Sequence, residues 1–119
     1  MANPNIVNVT SILGKTDTFA LTTTLTALVT CATDKVYKIN SIMAANIDGT
    51  NAQNVTIKVN DTSNDRAIAS TISVPADATL VVSDKNSSFY MEQGYVLKGQ
   101  ASANGDLECV VSYEILDDA

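Results

Sequence analysis

Asn54-Val55-Thr56-Ile57-Lys58-Val59-Asn60 alternates strictly between polar and apolar residues. Leu107-Glu108-Cys109-Val110-Val111-Ser112-Tyr113-Glu114-Ile115 does the same, with Val110 as its exception. A period of two sends successive side chains to opposite faces of an extended chain, so each stretch reads as a strand with one buried face. Tyr37-Lys38-Ile39-Asn40-Ser41 opens a third run that reaches Ile47. Working outward, further strands are expected at residues 6–14, 24–31, 67–74, 80–83 and 95–103, with a short one at 89–91 and a marginal one at 17–21. Thr and Val recur throughout, and both favour a pleated surface over a helix. No stretch of helix length keeps apolar residues at helical spacing; a single turn around residues 86–90 is the most helix expected.

The breaks between runs carry turn chemistry. Asn104-Gly105 lies between two alternating runs and predicts a tight hairpin, because a type I′ turn needs positive φ at both central residues. Asp48-Gly49-Thr50-Asn51 separates two strands, with Gly49 free to take a left-handed conformation. Asn60-Asp61-Thr62-Ser63-Asn64-Asp65 reads as a polar loop, and Glu92-Gln93-Gly94 as a turn into the next strand. Pro75 ends a strand, since it has no N–H for a ladder. Strand spacing is near that of sandwiches and barrels. The expectation is one domain over residues 1–119, an all-β, jelly-roll-like sandwich of about eight antiparallel strands, with residues 1–5 as a mobile N-terminal arm.

Composition narrows the function. The chain has 119 residues, 7 Lys plus Arg against 13 Asp plus Glu, a net charge of −6, and neither His nor Trp. Without His, no His-based triad, zinc–histidine site or imidazole base exists within one chain. One arginine, Arg66, and this acidity lack the electrostatic footprint of nucleic-acid binding. The longest apolar run, Ile42-Met43-Ala44-Ala45, is far short of a membrane span, so no membrane partner is expected. Met1-Ala2-Asn3-Pro4-Asn5 has neither a basic n-region nor an apolar h-region, so no secretory signal is expected.

No constellation reads as a site. Asp61-x-Ser63-x-Asp65 resembles the opening of a calcium loop, but Arg66 stands where glycine is needed and Ile72 where a bidentate Glu is needed. A polar hairpin loop is the expectation. Asn-x-Ser/Thr triplets at Asn8, Asn54, Asn60 and Asn86 are what this Asn and Thr content produces by chance. Asp48, Asp61, Asp65, Asp77, Asp106, Asp117 and Asp118 lie in turns or at the tail, where solvation and turn geometry account for them. The glycines are scattered singly, with no phosphate loop. Tyr37, Tyr95 and Tyr113 fall on apolar faces and are read as core. Cys31 shares an apolar side with Leu25, Ala27 and Val29, and Cys109 with Leu107, Val111 and Tyr113. Both read as small buried hydrophobes; one disulfide is arithmetically open, and no neighbouring base activates either thiol. Accordingly no catalytic, cofactor-binding or metal-ligating residue is assigned, and no cofactor is expected.

The outward positions are instead neutral: Thr22, Thr23, Thr24 and Thr26, then Ser70, Thr71 and Ser73, then Ser83, Ser87 and Ser88. A free-standing sheet usually guards its edges with Lys or Glu. Neutral faces suit covering by a partner or by copies of the same chain, and equally suit a plain Thr-rich sandwich.

Two blocks carry a resemblance. One runs Val36-Tyr37-Lys38-Ile39-Asn40-Ser41-Ile42, Ala44-Ala45-Asn46-Ile47-Asp48-Gly49-Thr50 and Val55-Thr56-Ile57-Lys58-Val59. The other runs Val74-Pro75-Ala76-Asp77-Ala78-Thr79-Leu80-Val81-Val82, Tyr90-Met91-Glu92-Gln93-Gly94-Tyr95 and Ala101-Ser102-Ala103-Asn104-Gly105-Asp106-Leu107 onward to Glu114. Together they resemble small β-sandwich virion structural proteins of tailed bacteriophages, particularly marine and cyanobacterial phages. The resemblance implies a non-enzymatic role: a capsid decoration (cement) protein, made in the host cytoplasm and bound to the capsid exterior. Its partners would be the major capsid protein and copies of itself in a homo-oligomer such as a trimer. Tail, neck and fibre proteins share such sandwiches, so a surface- or carbohydrate-binding adhesin module is the rival reading.

Overall fold

The computed structural model describes residues 11–117. The alternating runs become β1 (Ser11–Ala20), β2 (Thr26–Thr30), β3 (Lys35–Asn46), β4 (Gln53–Asn60), β5 (Asp65–Val74), β6 (Thr79–Ser83), β7 (Phe89–Met91), β8 (Val96–Ala101) and β9 (Leu107–Asp117). They form two antiparallel sheets. The first has the order β1-β9-β3-β6, with β7 also on β3; the second has the order β2-β8-β4-β5. β6 pairs with residues 42–45 of β3 and β7 with residues 37–39, while β9 occupies the other side of β3. Hence β6 and β7 share one edge as an interrupted strand, and among the described residues nine strands fill the eight positions expected.

The connectivity explains the sheet order. β4 pairs with β5, β3 with β6 and β7, β2 with β8, and β1 with β9, each pair nested inside the next. The chain is therefore one long hairpin, its tip at residues 60–65, rolled so that successive pairs fall in alternate sheets. That is the jelly roll. The expected sandwich is confirmed.

The nesting also corrects the turn readings. Among the described residues, β4–β5 is the one pair of consecutive strands that hydrogen-bond to each other. Asn104-Gly105 is not a hairpin turn, because β8 and β9 lie in different sheets. Gly105 has φ 79°, while Asn104 is not left-handed; its Oδ1 instead accepts the Thr23 N–H at 2.9 Å. Gly49 is not left-handed either; the positive φ values at crossings fall on Asp34 and Asp77, and on Gly94 as its turn requires. The strands expected at residues 6–14 and 17–21 are, where described, parts of the continuous β1, and residues 1–10, including the proposed arm, lie outside the described residues. The expected turn at 86–90 is a 3₁₀ turn at Lys85–Ser87, started earlier because Asp84 caps it by accepting the Asn86 N–H at 3.0 Å. Phe89 and Tyr90 are already strand.

The core lies between the sheets. Tyr37, Ile39, Ile42, Ala44, Met91, Leu107, Cys109, Val111 and Tyr113 face it from the first sheet. Val29, Val55, Ile57, Ala69, Val74, Leu97 and Ala101 face it from the second. A bulge between Ala27 and Val29 breaks the alternation expected in β2, so Ala27 is exposed and Leu28 packs on the core. Ser83, expected outside, is 4% exposed, and its hydroxyl donates to the Ser87 carbonyl at 3.2 Å.

Candidate interaction surfaces

The groups with chemical potential serve the fold. Asp61 Oδ1 accepts the Asn64 N–H at 2.8 Å and the Ser63 N–H at 3.1 Å, which closes the β4–β5 tip. These bonds hold its carboxyl below the usual carboxylate range, that of Asn64 most strongly. Asp65 Oδ1 accepts from Asn60 Nδ2 at 2.8 Å and lies 3.1 Å from Lys98 Nζ, and both contacts lower its pKa. The Asp61–Asp65 loop is thus a polar hairpin loop whose carboxylates are engaged within it and with Lys98. Asp48 likewise accepts the Thr50 N–H at 2.8 Å and the Asn51 N–H at 3.3 Å, and its pKa is lowered by them.

The thiols of Cys31 and Cys109 are both free and buried. Cys31 Sγ donates to the carbonyls of Lys35 and Met91, each at 3.3 Å. Burial pushes Cys31 up to about 11 and Cys109 up to about 12, so both stay protonated. Tyr37 and Tyr113 stack with centroids 5.3 Å apart, and both are buried as expected. The Tyr113 hydroxyl donates to Asp17 Oδ2 at 2.6 Å; burial first, then this bond, raises its pKa. Tyr95 is half-buried, and its hydroxyl donates to Glu92 at 2.9 Å.

Among the described residues no three His, Cys, Asp or Glu side chains cluster to hold a metal ion. Two open depressions mark the surface, about 250 Å³ at Thr18, Phe19 and Glu108, and about 160 Å³ at Asn54, Thr56 and Gln100. Both are smaller than ordinary small-molecule pockets.

The sheet surfaces differ more sharply. On the outside of the second sheet, Thr56 lies opposite Gln100 and Lys58 opposite Lys98, with Asp65 beside the lysines. On the outside of the first sheet, Thr16, Ser112 and Ser41 form one uncharged row. Thr18, Val110, Met43 and Val81 form the next. Met43 is 36% exposed and Val81 53%. Val110, the exception to its strand's alternation, is therefore part of an apolar stripe on an outer face. Glu108, Glu114 and Lys38 sit in the rows that flank this uncharged centre.

The four sheet edges differ as well. β2 has five residues and a bulge. β5 shifts register twice against β4, with Thr71 at φ 51°. The β6–β7 edge is short and interrupted. β1 has ten residues in unbroken register with β9. Sequence reasoning missed this edge because it divided β1 at Gly14. It also missed buried Asn46, although the parity of Ile42 and Ala44 in the same run points to it.

No family model matches the chain, and no curated protein matches it. Two crystal structures of a pentameric capsid protein isolated from metagenomic phage sequences are similar to it. One is 16% identical with a TM-score of 0.46, the other 17% identical with a TM-score of 0.43. Each match covers 85% of this chain, which spans 61% of the length of the first structure and 62% of the second.

Proposed function

We propose that this chain is a structural protein of a tailed-bacteriophage particle. In this reading it is a decoration protein that binds the major capsid protein and its own copies on the capsid exterior. The observation that carries the reading is the uncharged centre of the first sheet's outer face with its Val110–Met43–Val81 stripe. A jelly roll by itself serves capsids, lectins and other proteins, so the surface has to decide between them. A contiguous apolar patch on an outer sheet face favours a protein partner. On a shell, many weak contacts of this kind add through multivalency. The role is non-enzymatic: the acids close turns and the thiols are held protonated.

The test is quantitative mass spectrometry of purified particles. Hundreds of copies per particle support decoration, a dozen or fewer place the chain in tail or neck, and absence refutes a virion role. Met43→Lys with Val81→Lys should abolish particle binding and leave the folded monomer intact. One observation favours the rival adhesin reading: Tyr90 is 47% exposed on the same face, opposite Lys38. Loss of glycan-array binding on Tyr90→Ala would establish that reading instead.

A further inference from the structure

We propose that β1 is a homotypic docking edge, where a second copy of this chain adds its own β1, antiparallel, across a two-fold axis at Thr16. The proposal stands independently of any particle role.

Exposed strand edges invite pairing, and proteins blunt them with short strands, bulges and interruptions. Three edges of this sandwich are blunted in those ways; β1 is not, and its guard is the pair of charges Lys15 and Asp17, which oppose pairing except with a strand that sets an opposite charge against each. Among the described residues, the hydrogen-bonding groups that β1 leaves unpaired follow from the ladder. The Leu21 N–H donates to the Leu107 carbonyl at 2.9 Å, and the β1–β9 register runs unbroken from Ser11↔Asp117 to Ala20↔Glu108. Alternation then turns the N–H and C=O of Ile12, Gly14, Thr16, Thr18 and Ala20 to the free edge.

The sequence of β1 is complementary to itself about Thr16. An antiparallel copy in that register sets Lys15 opposite Asp17 of the second copy and Leu13 opposite Phe19, while Ile12 meets Ala20 and Gly14 meets Thr18. Opposite charges meet and apolar residues meet, each twice by symmetry. The Lys15–Asp17 and Leu13–Phe19 pairs fall at non-hydrogen-bonded positions, where side chains stand closer. The neighbouring registers fail: centring on Lys15 or on Asp17 sets like charges face to face. The Tyr113 hydroxyl holds Asp17 in place at 2.6 Å, and within one copy Lys15 reaches Asp17 at only 3.9 Å. Leu13, 57% exposed, gains an apolar neighbour in the dimer.

The test uses the full chain. Thr16→Cys should cross-link to itself under mild oxidation, because the two Cα atoms would stand about 5.5 Å apart. Ile12→Cys should not, because its symmetry mate is eight residues along the strand, about 26 Å away. Lys15→Asp and Asp17→Lys should each weaken the dimer roughly tenfold in sedimentation velocity. An equimolar mixture of the two should restore it, since each then meets its opposite charge. The double variant Lys15→Asp/Asp17→Lys should dimerise alone. Cross-linking of Thr16→Cys no faster than that of Ile12→Cys, or a mixture no more dimeric than its components, overturns the proposal.

Discussion

Replacing Asn46 with alanine removes a buried knot that ties the two sheets together. Asn46 ends β3 and is 3% exposed. Its Nδ2 donates to the carbonyls of Asn51 and Val74, each at 3.0 Å, and its Oδ1 accepts the Asp48 N–H at 2.9 Å. One amide thus joins the end of β3, the crossing to β4, and the last residue of β5 in the other sheet. Each bond contributes about 1 kcal/mol net, and a buried carbonyl left without a donor costs about 1–3 kcal/mol. Val74 loses its donor in a dry place, whereas Asp48 and Asn51 lie nearer water. The expected loss is about 2–4 kcal/mol. For a chain of this size that lowers Tm by roughly 8–16 °C. Urea denaturation followed by circular dichroism, with calorimetry, measures both quantities. Asn46→Asp is the sharper arm. It keeps the acceptor for Asp48 but sets a carboxylate against two carbonyl oxygens, which raises its folded pKa above the unfolded value of about 3.9. The folded state then binds the proton more tightly, so this variant loses stability as pH rises from 4 to 7. A cost of Asn46→Ala below about 0.5 kcal/mol, or a deficit of Asn46→Asp that is the same at pH 4 and 7, would refute the reasoning.

Further outcomes are expected elsewhere. A Cβ on Gly99 would lie 2.8 Å from Leu28 Cδ1 and 3.1 Å from Leu21 Cδ2, both flexible side-chain ends. Gly99→Ala should therefore cost about 1–3 kcal/mol by overpacking, and an unchanged urea midpoint would contradict this. Native Cys31 and Cys109 should resist thiol reagents at pH 8 and react on unfolding; fast native labelling would show that they are not buried as described. Cys31, Cys109 and Tyr113 all have folded pKa values above their ordinary ones. Their contribution is intact below about pH 8.5 and is lost as pH rises toward the folded values, because the unfolded chain releases these protons first. Stability that stays flat from pH 8 to 10.5 would count against it. In acid the sign is opposite: the turn carboxylates of Asp48, Asp61 and Asp65 have lowered pKa values, so stability should fall as pH drops below about 4.

The sequence by itself determined where the strands run and which side of most of them is buried. A two-residue period is a local property, and β4 and β9 emerged with the faces that their alternation predicts, whereas β3 switches parity at the irregularity between Ile39 and Ser41, so that Ile42, Ala44 and Asn46 turn inward and Met43 outward. The turn acids were readable for the same reason, since Asp48 and Asp61 bond to N–H groups two or three residues away. Tertiary structure decided which strands share a sheet. Asn104-Gly105 has the local chemistry of a hairpin, yet the rolled topology sends β8 and β9 to different sheets. Asn46 is a strand residue in sequence and becomes an inter-sheet tie when β5 ends beside it. Ser83 turns inward because the chain folds back through Ser87. Val110 looks like a lapse in alternation and lies in a row with Met43 and Val81 from two other strands. β1 is an edge because no described strand covers its second side. Alternation encodes a face for each strand but no neighbour, and neighbours are chosen by contacts between segments far apart in the chain.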